Sequence, residues 1–389
     1  MKSLVNDKLG YYMVGNHRVE SKIDACILGT KLNLHPTWHF SDHVWNACDW
    51  AHEPEIDILE LYRTRARQIR EQYDYIVLNY SGGSDSQTMV DAFLSAGLFI
   101  DEVVTIWNRK HTAKVIAEPG VIDARNVEAE YELTTRPGLT KIRDASPNTK
   151  ITYIDISDAT VNDYKTFDGE EWLKNTVEHL HPQYVTRWSA TRDKNQLLTV
   201  DRGLRTAILF GVDKPKVCIK DGQYYTYFVD IVANSFRGGF NRPEYDNIDY
   251  VFFYWTPDLP EIIVKQSHMI RRWFEMNPQL KPILQWPNSD YTKRQAYEII
   301  VRSIVYPEWN LNTFQCVKTS STVYSEWDDW FFQEYKNTAT YDSWFKGIQY
   351  VEQNIDKKYL KYDFDNRFDG LVGMINGFFL LSEKGSQQA

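Results

Sequence analysis

The sequence predicts an α/β protein, with a mostly parallel sheet flanked by helices and a helical C-terminal region behind it. Three observations carry this. Residues 75–97 read YIVLNYSGGSDSQTMVDAFLSAG, where a short, partly β-branched apolar run stops at a serine-glycine loop and a helical apolar period follows at once. Short apolar runs return at 101–107 (DEVVTIW), 151–156 (ITYIDI) and 249–255, as expected for buried parallel strands. After Trp255 the texture becomes helical.

Residues 1–54 read as an N-terminal extension, with a short strand at Tyr11–Val14 and a short helix over Glu20–Thr30. In HPTWHFSDH, His35, His39 and His43 recur every fourth residue, with Cys48 and His52 close behind. On one continuous helix these would share a face and suit a metal. Pro36 and the aromatic neighbours Trp38, Phe40 and Trp45 favour plain packing instead.

Residues 55–255 are the expected nucleotide-binding domain. Glu55–Tyr73 is an amphipathic helix marked by Ile58, Leu59, Tyr62, Ala66 and Ile69. Ile76-Val77-Leu78 is a strand, and Met89, Val90, Phe93 and Leu94 line one face of the next helix, which Gly97 caps. Strands are expected at Asp101–Trp107 and Ile151–Ile156, with helix plus loop around Arg136-Pro137-Gly138. Asn195–Phe210 has helical spacing through Leu197, Leu198, Val200, Leu204, Ala207 and Ile208. Lys216–Phe228 reads as a hairpin about Asp221-Gly222, a type I′ signal, and Asp249–Trp255 as a further strand.

Residues 256–389 form the aromatic-rich helical region. Helices are expected at Pro260–Met276, Tyr291–Val305 (with Ser289 and Asp290 as caps), Ser325–Tyr335 and Tyr341–Ile355, and Lys384–Ala389 as a frayed tail. Asp363, Asp365 and Asp369-Gly370 resemble a calcium loop, but Arg367 interrupts the ligand pattern and the distal glutamate is absent.

Composition narrows the function classes. The chain has 389 residues, about two or three domains by length, and 43% hydrophobic residues, enough for real cores. Its net charge of −9 argues against a general phosphate-backbone surface and leaves nucleic-acid contact to a local patch. Cys26, Cys48, Cys218 and Cys316 are far apart and form no C-x-x-C, which points away from zinc knuckles, iron–sulfur clusters and a disulfide framework. The N-terminus, MKSLVNDKLGYY, has no apolar signal region, and no apolar run is long enough for a bilayer. A cytoplasmic protein is expected.

The loop at 81–86 carries the chemistry. Gly82 and Gly83 permit torsions and close approach that a Cβ would forbid. Backbone N–H groups there, at the start of a helix, suit phosphate. Ser81, Ser84 and Ser86 add hydroxyls. Asp85 suits a Mg²⁺ riding on the phosphates, since hard cations take carboxylate oxygens. The lysine-bearing G-x-x-x-x-G-K-[ST] pattern is absent, so this is not an ordinary P-loop. A second candidate is Gly211-Val212-Asp213-Lys214-Pro215. Lys214 would neutralise phosphate, and Asp213 would hold metal or a substrate amine. The same residues equally suit a surface turn.

Between a buried strand and an amphipathic helix, SGGSDS matches the SGGxDS signature. The chain thereby resembles the PP-loop ATP pyrophosphatase superfamily (adenine nucleotide alpha hydrolase-like), over about Tyr73 to Trp255. That group includes the synthetase domains of GMP, NAD and asparagine synthetases and the tRNA-lysidine synthetase. The resemblance implies ATP cleavage between the α and β phosphates, with an adenylated intermediate. It implies phosphate donors at Ser81, Gly82, Gly83, Ser84 and Ser86, the acidic position at Asp85, and adenosine contacts around Trp107, Asn108 and Arg109. Trp107 serves equally as core. Asp85 and Lys214 are the candidate catalytic residues, ATP and Mg²⁺ the expected ligands, and the acceptor for C–N bond formation is open.

Relatives differ in ways the chain registers. Met1-Lys2 lacks the cysteine after the initiator that an N-terminal-nucleophile glutaminase needs. Phosphoadenosine phosphosulfate reductases share the fold but use a C-terminal Glu-Cys-Gly motif, absent here, and thiolation enzymes use cysteine pairs, also absent. The texture resembles PP-loop proteins of tailed phages. Beside the adenylating enzyme stand two alternatives: a reductase-like or sulfur-transfer enzyme, and a non-catalytic nucleotide-binding protein.

Overall fold

The computed structural model describes residues 10–107, 110–111, 131–169, 172–173, 180–183, 203–211, 214–230, 247–288, 291–309, 324–363 and 365–382, and every structural statement below concerns these. The expected caps Ser289 and Asp290, residues 195–202 and the tail at 384–389 lie outside them.

At the N-terminal end, β1 (Tyr11–Val14), β2 (His17–Val19) and β3 (Thr37–His39) form a small antiparallel sheet in the order β2-β1-β3. Helix α1 (Lys22–Leu32) joins β2 to β3, and the single turn α2 (Asp42–Trp45) follows. The histidine cluster therefore sits on no common helix. His39 bonds Asp42 at 2.5 Å, His52 bonds Asp49 at 2.8 Å, and His35 packs on the Tyr359 ring.

Helix α3 (Ile58–Gln72) starts where the Asp57 side chain accepts the Leu59 N–H at 2.8 Å. Its apolar stripe, including Leu61, Tyr62, Ala66 and Ile69, is buried. The chain then enters β4 (Tyr75–Asn79), whose Ile76, Val77 and Leu78 are fully buried because the strand is covered on both faces. Helix α4 (Ser84–Ser95) follows and ends in a Schellman motif. Gly97 has φ of +71°, its N–H bonds Leu94 C=O, and the Leu98 N–H bonds Phe93 C=O. Next come β5 (Glu102–Trp107), a π-helical turn (Tyr131–Thr135), α5 (Arg136–Ala145), β6 (Lys150–Asp155) and α6 (Ser157–Thr166).

One expectation fails here. Thr206–Phe210, placed in a helix by its spacing, is strand β7. All of Thr206–Leu209 is buried between two parallel neighbours, and a strand apolar on both faces presents the same residues as a short helical segment. The hairpin of β8 (Lys216–Lys220) and β9 (Gln223–Tyr227) turns at Asp221 (φ +50°) and Gly222 (φ +76°), the type I′ pattern. Strand β10 (Ile248–Phe252) completes the main sheet, which is parallel throughout in the order β10-β7-β4-β5-β6.

The C-terminal region is mainly helical: α7 (Glu261–Met276), α8 (Tyr291–Val305), α9 (Glu326–Tyr335) and α10 (Ala339–Asn354). Helix α7 packs on α3, α8 and β8. It also contains short strands that the apolar spacing does not foreshadow. β11 (Leu360–Tyr362) pairs with β12 (Phe368–Leu371), and β13 (Phe379–Leu380) pairs with β9. The acidic loop holds its own cation, because the Arg367 guanidinium lies 2.9 Å from Asp363, 3.3 Å from Asp365 and 3.7 Å from Asp329. No described helix is long and apolar enough to cross a membrane.

Candidate functional site

The strand order fixes where a ligand belongs. From β4 the chain runs outward through β5 to β6, then returns to β7 on the other side of β4 and continues to β10. The direction therefore reverses between β4 and β7, and open parallel sheets bind ligands beyond the strand ends at that reversal. Ser81–Ser86 follows β4, and Gly211 to Lys214 follows β7. Both candidate loops flank the reversal.

The first loop is shaped by backbone. Gly82 has φ of +74°, and a Cβ there would lie 2.7 Å from Thr135 Cα. Thr135, the last residue of the π-helical turn, donates its hydroxyl to Ser81 C=O at 2.8 Å. Gly83 differs from expectation: its φ of −75° and ψ of 170° are ordinary extended values, and it serves as N-cap of α4. The first i→i−4 bond of that helix runs from the Gln87 N–H to Gly83 C=O, at 3.0 Å. The N–H groups of Ser84, Asp85 and Ser86 precede it, at positions where a helix supplies no i→i−4 acceptor. Ser86 instead turns its hydroxyl inward to Gly83 C=O at 3.2 Å, while Ser81 is exposed. Ser84 and Ser86 are each 4% exposed, so Ser81 is the accessible hydroxyl of the three.

The second loop is shaped by side chains. Gly211, just after β7, lies against the first turn of α4, where a Cβ would stand 3.1 Å from Asp85 Cβ. That contact draws β7 and α4 together. Lys214 is 3% exposed, so it is a buried residue and not a surface turn lysine. Its ammonium bonds Asp85 Oδ1 at 3.0 Å. Asp213 and Val212 lie outside the described residues, as do Asn108 and Arg109. Trp107 ends β5 in register with Asp155, and its side chain lies outside the described residues.

Three tyrosines hold this pair. Tyr254, just after β10, donates its hydroxyl to Asp85 C=O at 2.8 Å. The Tyr306 ring centre is 5.9 Å from the Lys214 ammonium. Burial, and then the Asp85 charge, holds the Tyr306 phenol well above its ordinary range, so it stays neutral. Tyr297 on α8 donates to Pro215 C=O at 2.7 Å and accepts the Val217 N–H at 2.8 Å. Glu298, beside it, faces Lys214 and Lys216. None of Tyr254, Tyr297, Glu298, Tyr306 or Thr135 carries a local sequence signal; each reaches the site only through the fold.

The arrangement suits a polyphosphate with a hard cation. N–H groups at a helix start and a buried ammonium are anion donors. The Asp85 side chain is 22% exposed, so its carboxylate reaches the crevice. Mg²⁺ is ordinarily held by one or two carboxylates plus phosphate oxygens and water, which a single aspartate fits. Among the described residues no cluster of three or more His, Cys, Asp or Glu could hold a metal unaided.

The described thiols do not favour sulfur chemistry. Burial pushes Cys48 up to about 11 and Cys218 up to about 12, and Cys26 is fully buried. Cys316 lies outside the described residues.

No protein-family model matches the sequence, and no curated protein matches it. Sixteen chains of solved structures are matched. Among them is NAD⁺ synthetase from Burkholderia pseudomallei, 15% identical with a TM-score of 0.25, over 41% of this chain and 55% of that one. The chain thus spans about half the length of that enzyme, and a likeness of this size carries no argument about chemistry.

Proposed function

We propose that the chain is an ATP pyrophosphatase of the AMP-forming kind. One observation carries the reading. An SGGSDS loop closes the central parallel strand, and the ammonium of Lys214, from the loop after the neighbouring strand, meets its aspartate at 3.0 Å. The same reading takes 55–255 as the nucleotide-binding unit, with 1–54 and 256–389 around it, and residence in a reducing cytoplasm.

In this mechanism an acceptor oxygen attacks the α-phosphorus. The bond from that phosphorus to the α–β bridging oxygen breaks, and its electron pair leaves with pyrophosphate. A nitrogen nucleophile then attacks the adenylated acceptor, AMP leaves with the electron pair, and the nitrogen's proton passes to solvent. The N–H groups of Ser84, Asp85 and Ser86, with the Ser81 hydroxyl, face the phosphates. Lys214 neutralises charge as it gathers on the leaving group. Mg²⁺, when bound, supplies further neutralisation of the phosphates, with Asp85 as its protein ligand.

Incubation with ATP, Mg²⁺ and a cell extract, followed by mass spectrometry, should show AMP and pyrophosphate in equal amounts, and Asp85→Asn should abolish both. If neither product forms and millimolar ATP–Mg²⁺ leaves the melting temperature unchanged, the non-catalytic reading replaces this one.

A further inference from the structure

The charges at the crevice form an alternating row: Asp85, Lys214, Glu298, Lys216. Lys214 Nζ is 3.0 Å from Asp85 Oδ1 and 3.9 Å from Glu298 Oε2, and Lys216 Nζ is 2.5 Å from Glu298 Oε1. The row crosses four elements: the first turn of α4, the loop after β7, helix α8 and strand β8. The Lys214 side chain is 4% exposed, so its ammonium needs an anionic neighbour in every state of the site. A cation ligated by Asp85 draws charge from that carboxylate and repels the ammonium, so the Asp85–Lys214 pair weakens when the cation binds.

The backbone between the two lysines is pinned. Tyr297 bonds Pro215 C=O and the Val217 N–H, and the proline ring fixes φ between them. The C-terminal side of Lys214 is thus held, and among the described residues Glu298 is a second carboxylate near its ammonium, at 3.9 Å.

We propose that Glu298 is a positioning residue for Lys214. It takes over the ammonium when Asp85 turns to the Mg²⁺ carried by the nucleotide. Lys216 holds Glu298 in place for the exchange, and Asp85 serves two states in turn. This rests on the ATP reading and adds to it a residue from α8, far in sequence from the loops that face the phosphates.

Glu298→Gln keeps the shape and removes the charge. ATP affinity is measured by titration calorimetry in Mg²⁺ and again in EDTA. The dissociation constant in Mg²⁺ should rise about tenfold, while that in EDTA changes less than about twofold. Glu298→Asp should restore most of the loss. Equal weakening in both conditions, or none in either, overturns the proposal, as does failure of Glu298→Asp to restore. If Glu298→Gln does not fold, Lys214→Met is compared with the Lys214→Met, Glu298→Gln double variant, in which there is no Lys214 ammonium for the second carboxylate to receive. The two should then share one magnesium dependence, and a further loss in the double variant overturns the exchange. A wild-type protein that binds no ATP in either condition overturns the ATP reading itself, and this proposal with it.

Discussion

The loop after β4 and the loop after β7 arrive at one crevice by different means. The first works through its backbone: Gly82 at φ +74° accepts the press of Thr135, and the start of α4 presents N–H groups. Six consecutive residues contain almost all of it. The second works through one side chain, and that side chain depends on the rest of the molecule. Lys214 meets Asp85 across 129 residues of chain, and its loop is pinned by Tyr297 across 82. A site half written in contiguous residues and half assembled by the fold should respond to mutation in two ways, locally in one loop and through distant partners in the other.

Asp85→Ala should show the largest effect, because it joins the two loops. It leaves the buried ammonium without its near carboxylate, and a loss of roughly 3 kcal/mol in folding stability is expected from denaturant unfolding. Adding Lys214→Met should recover part of that loss. If the double variant is as unstable as the sum of the single ones, the loops are not coupled. Gly82→Ala should cost about 2 kcal/mol, from a strained positive φ and a methyl against backbone. That cost should be nearly additive with Tyr297→Phe, since the two act on different loops.

Tyr297→Phe removes the partner of Pro215 C=O and the Val217 N–H, with an expected loss of about 1–2 kcal/mol. It should also weaken ATP binding, whereas a purely structural tyrosine would lower stability alone.

Asp328 supplies a control outside both loops. It accepts from the Ser325 N–H at 2.7 Å and from the Gln183 N–H at 2.8 Å, and burial pushes its carboxyl up to about 7. The folded protein therefore holds a proton that the unfolded chain releases near pH 4. Its stabilisation is present below that point and lost as pH rises through about 7. Asp328→Asn should flatten the fall of melting temperature over about pH 4 to 7 and leave ATP affinity unchanged. An unaltered slope would show that Asp328 is ionised throughout.

The same contrast decides what is legible in the sequence alone. Ile76–Leu78, Gly82 and Gly97 state their roles through neighbours in the chain, and β4, α4 and the Schellman cap stand where those neighbours predict them. β7 reads as helix because burial on both faces erases the alternation that marks a strand. The sequence leaves Lys214 undecided because Asp-Lys-Pro has the same chemistry in a solvent turn as beside Asp85; burial alone separates the two. Glu298 and Tyr297 sit in a helix whose expected span, Tyr291–Val305, is the observed one, yet the face they turn to the crevice is a property of packing.

Outside the crevice, Asp230 is fully buried and accepts from the Tyr12 hydroxyl at 2.8 Å, the Met374 N–H at 3.0 Å and the Lys22 ammonium at 3.3 Å. One carboxylate thus ties together segments from the beginning, middle and end of the chain. Opening any one of them exposes the same charge pair, so the three should unzip as a single cooperative unit. Native-state hydrogen exchange would then report one shared opening free energy for the amides of β1 and for Met374, although some 360 positions separate them.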